Sequence, residues 1–168
     1  FDICKLIIEN VDDKNLADNN GLTPLYAAAY NGHFDICKLI IENVDDKNPA
    51  NNNGFTPLYI AAEKGHLDIC ILIVENVNNR NPATSNGFTP LYIAAEKGHF
   101  DICKLIIENV NNRNPATSNS FTPLYIAAAK GHFDICKLIV ENVDDKNPAN
   151  KDGFSPLYCA AQNGHLDI

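Results

Sequence analysis

Two kinds of apolar stretch alternate along the chain. The first is short and narrow: Leu58, Ala61 and Ala62 fall at i, i+3 and i+4, so small side chains line one face of a helix. The second is apolar nearly all round: Leu67, Ile69, Cys70, Leu72, Ile73, Val74 and Val77 leave Asp68, Glu75 and Asn76 for solvent. Thr56 before Pro57 opens the first helix, because the hydroxyl accepts from free backbone N–H groups and proline at the first helical position has none to leave unpaired. Gly65 closes it, since glycine takes the left-handed conformation without strain. Asp68 stands in the first turn of the second helix, where the helix dipole favours negative charge. The polar run from Asn78 to Gly87 is rich in turn formers and predicts an extended loop or hairpin-like finger.

This pattern returns every 33 residues, which predicts first helices near 24–31, 57–64, 90–97, 123–130 and 156–163. Second helices are predicted near 1–10, 34–43, 67–76, 100–109 and 133–142. Full repeats span 21–53, 54–86, 87–119 and 120–152, with partial repeats at 1–20 and 153–168. Repeats 54–86 and 87–119 differ only at Leu67/Phe100, Ile71/Lys104 and Val74/Ile107. A fixed period of this length is the signature of a solenoid, in which a lone unit leaves both stacking faces wet and stability comes from its neighbours. The expectation is therefore a single all-α array over 1–168, built of antiparallel helix pairs with projecting fingers.

Composition narrows the function. A net charge of −8 argues against nucleic-acid binding, which needs clustered Lys and Arg. No apolar run approaches the ~18 residues of a membrane span. Cys4, Cys37, Cys70, Cys103 and Cys136 share one repeat position, and Cys159 holds another. Equivalent residues of stacked helices lie roughly 8–10 Å apart, beyond the ~7 Å limit for disulfide Cα atoms. The cysteines read as buried, reduced hydrophobes in an intracellular, cytoplasmic setting. The absence of an initiating Met predicts a piece of something longer.

The recurring Gly-x-Thr-Pro-Leu-x-x-Ala-Ala-x-x-Gly-His, followed by an Ile-x-x-Leu-Ile-Ile helix and a polar loop returning to Asn-Gly, resembles the ankyrin repeat over all 168 residues. The resemblance implies an L-shaped stack, with first helices and fingers forming a concave face and second helices forming a convex back. It also implies a protein-binding role. Three departures stand out. Tyr26, Tyr59, Tyr92, Tyr125 and Tyr158 occupy the place of the family's His, so their hydroxyls need other partners. Val44, Val77, Val110 and Val143 replace the glycine that ends the second helix, which leaves Asn43, Asn76, Asn109 and Asn142 as expected left-handed caps. The family's Ala-Asp-Val-Asn loop becomes Asp/Asn-Asp/Asn-Lys/Arg-Asn-Pro. Asn48, Asn81, Asn114 and Asn147 align with the loop asparagine that asparaginyl hydroxylases modify in some ankyrin repeats, here preceded by Lys or Arg instead of valine.

Candidate chemistry is thin. His33, His66, His99, His132 and His165 come one per repeat, too far apart to converge on a metal, and read as turn packing. His-Asp pairs such as His66 and Asp68 lack a nucleophile, and thiols on apolar helices are poor nucleophiles. No enzyme and no cofactor is expected. The tyrosines and Phe55, Phe88, Phe121 and Phe154 form ladders, expected to stack between neighbouring repeats. Variation among the repeats marks candidate partner contacts: Tyr30, Asn31, Glu63, Lys64, Glu96, Lys97, Ala129 and Lys130 on the first helices. The finger tips join them: Asn51, Asn52, Asn53; Thr84, Ser85, Asn86; Thr117, Ser118, Asn119; and Asn150, Lys151, Asp152. The expected function is a scaffold that binds another protein through the concave face; the rival is a structural spacer. The ends, Phe1-Asp2-Ile3 and Leu166-Asp167-Ile168, fall at the same point of the repeat. Either further repeats cover them or copies stack head to tail.

Overall fold

The structure is a computed structural model that describes residues 2–166. Phe1, Asp167 and Ile168, and with them the terminal steps of the repeat, lie outside the described residues. Ten helices follow in chain order: α1 (Asp2–Asn10), α2 (Pro24–Tyr30), α3 (Phe34–Ile41), α4 (Pro57–Lys64), α5 (Leu67–Asn76), α6 (Pro90–Lys97), α7 (Phe100–Asn109), α8 (Pro123–Lys130), α9 (Phe133–Asn142) and α10 (Pro156–Asn163). Among the described residues there is no strand. The chain divides into two compact units, one ending at Pro82 and the other beginning at Ala83.

In the unit ending at Pro82, first helix α2 packs on α4, each first helix packs on its own second helix, and α3 packs on α5. The unit from Ala83 repeats this scheme with α6, α8 and α10 as first helices and α7 and α9 as second helices. Each first helix opens as its Thr-Pro or Ser-Pro predicts. Thr56 Oγ1, for instance, accepts from the Tyr59 N–H at 3.2 Å, and Gly65 closes α4 at φ +81°. The narrow stripe goes to the core: Leu58, Ala61 and Ala62 are wholly buried, and so are Leu91, Ala94 and Ala95. The second helices bury Ile69, Cys70, Ile73 and Val74 in one unit and Ile102, Cys103, Ile106 and Ile107 in the other. Ile3 and Ile7, which match the buried Ile69 and Ile73, are 74% and 52% exposed, for no described first helix precedes α1.

The second helices end differently from the expected left-handed asparagine caps. Among the described residues, Ser120 is the one non-glycine with a left-handed φ. Asn76 stays helical and its Nδ2 donates to the Leu72 carbonyl at 2.8 Å, while Val77 runs on in extended conformation (φ −128°, ψ 151°). Arg80 Nε then donates to the Val74 carbonyl at 3.1 Å, and Arg113 does the same for Ile107 at 3.2 Å. At the ends of α5 and α7, last-turn carbonyls are thus served by the side chains of Asn76 and Arg80 and of Asn109 and Arg113, without a left-handed residue.

Histidine joins one repeat to the one before. His66 Nε2–H donates to the Tyr30 carbonyl at 3.3 Å, and its ring lies where a Cβ on Gly32 would come within 2.7 Å. In the other unit His132 reaches the Glu96 carbonyl at 3.1 Å over Gly98, and His165 reaches Ala129 at 3.3 Å over Gly131. The glycine that ends a first helix therefore has two duties: it takes positive φ and leaves room for the next imidazole.

Candidate protein-binding surface

The fingers return the chain from a second helix to the next first helix, and their asparagines hold the turn. Asn48 Oδ1 accepts from the Leu58 N–H at 2.8 Å, fixing the loop to the start of α4; Asn114 and Asn147 do so for Leu124 and Leu157 at 2.9 and 3.0 Å. At the tip, Asn51 N–H donates to Phe55 O at 2.9 Å and Gly54 N–H to Asn51 O at 2.9 Å. Neighbouring tips within a unit are tied by backbone bonds: Asn52 N–H to Asn20 O at 3.1 Å, Ser118 N–H to Asn86 O at 2.9 Å and Lys151 N–H to Asn119 O at 3.3 Å.

These bonds sort the candidate tip residues. Thr84, Thr117 and Asn150 are buried, which corrects their place among the partner-facing residues. Thr84 Oγ1 accepts from Phe88 N–H and Thr117 Oγ1 from Phe121 N–H, both at 3.1 Å, and Asn150 Oδ1 takes Phe154 N–H at 2.9 Å. Asn51 is half-buried in the same service, accepting from Asn53 and Phe55 N–H at 3.0 Å each. The remaining tip residues, Asn52, Asn53, Ser85, Asn86, Ser118, Asn119, Lys151 and Asp152, are exposed. The first residue of a tip closes a turn; the next two face solvent.

On the first helices Tyr30, Asn31, Lys64, Lys97 and Lys130 are exposed, and Glu63, Glu96 and Ala129 are half-buried. In the unit ending at Pro82, Lys64 Nζ lies 4.6 Å from the centre of the Tyr30 ring and 3.9 Å from Glu63 Oε2. Beneath them Tyr26 is half-buried, and burial, then Glu63, then Tyr30 push its phenol up from the ordinary value. In the other unit burial, followed by Glu96, raises Tyr92 to about 12. Tyr125 is also raised to about 12, by burial and then by a hydrogen bond with Cys159. Among the described residues the Phe and Tyr of one repeat pair with each other, a contact the expected ladder between repeats did not include. Phe55 meets Tyr59 at 4.7 Å, Phe88 meets Tyr92 at 5.1 Å and Phe121 meets Tyr125 at 4.9 Å. The reason is local: each Phe precedes the capping Thr and each Tyr stands in the first helical turn, so the two close over the helix start like a staple.

The thiols are free, and Cys37, Cys70, Cys103, Cys136 and Cys159 are buried. Burial pushes Cys70 and Cys103 up to about 12 and Cys136 to about 11, so these thiols stay protonated. Among the described residues, no group of three or more His, Cys, Asp or Glu is placed to hold a metal ion, and no helix is long and apolar enough to cross a membrane.

A family model for ankyrin repeats matches residues 1–82, 44–118, 71–150 and 109–168, so the matches together run the length of the chain. The chain belongs to the ankyrin-repeat family. Proteins built of ankyrin repeats generally serve as modules that bind other proteins. A comparison with curated proteins gives no match.

Three features of this ankyrin surface escaped the sequence. Ser120 sits at φ +62° where Gly21, Gly54, Gly87 and Gly153 stand in the other repeats, at φ +78° to +84°; the lone non-glycine was the signal. The Lys64–Tyr30 contact and the histidine-to-carbonyl bonds join residues one repeat and a few positions apart, a distance that only stacking closes.

Proposed function

We propose that this chain is a non-enzymatic scaffold that binds another protein through the exposed faces of its first helices and the outer two residues of each finger tip. The observation that carries this reading is where the repeats differ. Leu25, Leu58, Leu91 and Leu124 keep the core position, whereas Tyr30, Glu63, Glu96 and Ala129 vary at a single position that is exposed or half-buried. Its free thiols fit a reducing, intracellular compartment such as the cytoplasm, and the unbroken period is the ground for treating residues 1–168 as one repeat array. The test places a photo-crosslinking residue at Tyr30 or Asn86 in one set of variants, and at Lys38 or Lys104 on the second helices in another. Adducts concentrated in the first set are the expected result; equal yields in both sets would overturn it.

The near-identity of repeats 54–86 and 87–119 favours a second reading, that of a spacer whose task is length. A recognition surface diversifies, and these two repeats have not. Absence of any specific adduct from either set, with the fold intact, is the outcome that selects the spacer.

A further inference from the structure

Tyr30 and Lys64 belong to successive repeats of the unit ending at Pro82, and between them they form a filled cation site. The Lys64 ammonium lies 4.6 Å from the ring centre, and the Glu63 carboxylate stands 3.9 Å from the same nitrogen. A ring face with a carboxylate beside it attracts cations, and here a side chain of the protein itself takes that place. The place is open to solvent: Tyr30 is 47% exposed and Lys64 is exposed too. At the position of Tyr30 the following repeats carry Glu63, Glu96, Ala129 and Gln162, none with a ring. The surroundings also draw cations, since residues 1–82 hold twelve Asp and Glu against six Lys and Arg.

The geometry points to a binding site for an arginine of a partner protein, whose guanidinium replaces Lys64 over Tyr30 and pairs with Glu63. This deepens the protein-binding reading, on which it rests, by naming the partner's chemistry. A guanidinium is planar and less strongly hydrated than an ammonium, so it stacks on a ring while its N–H groups still reach a carboxylate. Lys64 gives way readily, because its flexible stem carries the ammonium out to water, where it is well hydrated. Tyr30 is thus a specificity residue, Glu63 a charge partner, and Lys64 an internal competitor.

The experiment follows tyrosine ring signals by NMR while hexa-arginine or hexa-lysine is added at about 0.15 M salt, where fields beyond ~8 Å are largely screened. Hexa-arginine is expected to move the Tyr30 signals first and to bind measurably tighter than hexa-lysine, within the about two- to fivefold that a whole exposed cation–π contact is worth. Tyr30→Ala should erase that preference, and Lys64→Ala should strengthen binding by a similar factor. Glu63→Gln should weaken it more than Asp35→Asn, which removes the same charge from the first turn of α3. Equal affinity for the two peptides, a preference that survives Tyr30→Ala, a Lys64→Ala variant that binds more weakly, or equal losses from the two charge variants would each overturn the arginine site. Specific crosslinks from Tyr30 to a partner, with no preference for hexa-arginine, remove the arginine site and leave the protein-binding surface standing. Loss of both removes the surface as well.

Discussion

The unit ending at Pro82 and the unit beginning at Ala83 are made of one repeat, yet they meet solvent differently. The first carries twelve acidic against six basic residues and the second nine against seven, so most of the negative charge belongs to the first. The first shows Tyr30 and Ile71 to solvent, and the second shows Phe100 and Phe133. Beneath the surface they agree: Leu58 and Leu91 are wholly buried, as are Cys70 and Cys103 and the isoleucines Ile73 and Ile106. Stacking constrains what touches the next helix and leaves the rest free to drift or to be selected. Most divergence between the units lies at outward-facing positions and at the joints between fingers; in the core it includes the exchange of buried Val74 for buried Ile107, a difference of one methylene.

The sharpest check on that shared interior is chemical. Cys70 and Cys103 are both raised from 9.0 to about 12, so at a pH below both values each holds roughly a thousandfold less thiolate than an ordinary thiol. Alkylation of the native protein should therefore be slowed by that order at both sites, with the half-buried Cys4 reacting first. Rapid labelling of Cys70 but not Cys103 would show that the two interiors are unlike. Next in size, Leu58→Ala and Leu91→Ala should each cost about 2–5 kcal/mol in urea melts. A large difference between the two would again break the equivalence.

The joints give smaller effects. Gly87 and Gly153 both have positive φ, at +82° and +83°, but a Cβ on Gly87 would lie 2.7 Å from Thr117 Cα, while one on Gly153 has nothing within 4 Å. Both alanine variants should lose the roughly 1–2 kcal/mol of a left-handed non-glycine residue, and Gly87→Ala should lose measurably more. Ser120 already bears that cost at φ +62°, and the tip bond from Lys151 beside it, 3.3 Å, is longer than the 2.9 Å bond between Ser118 and Asn86. Ser120→Gly should therefore raise stability by about 0.5–1 kcal/mol, glycine's greater freedom when unfolded offsetting part of the relief. Smallest of all, Ile71→Lys makes α5 match α7 at a position 37% exposed. It should change stability by no more than about 0.5 kcal/mol, and a loss above 1 kcal/mol would show the side chain to be buried.

The sequence by itself determined the helices. The bounds of α4 to α10 coincide with the expected ones, because Thr-Pro starts and Gly-His stops act within a few residues and the apolar period does the rest. In α2 and α3 the chain leaves the helix one or two residues early, at Tyr30 and Ile41. The burial of Leu58, Ala61 and Ala62 was legible for the same reason, as was the exposure of Ile71. Only the tertiary structure decided how one repeat meets the next: which carbonyl His66 takes, that Lys64 lies over Tyr30, and that Thr84 turns inward while Ser85 and Asn86 face out. It also replaced left-handed asparagines with side-chain bonds from Asn76 and Arg80. Such contacts join residues about a repeat apart, or pit one hydrogen-bonding solution against another of similar energy, and local periodicity holds no information on either. Repetition tells where helices begin and end, whereas stacking chooses which of their polar groups are left for a partner.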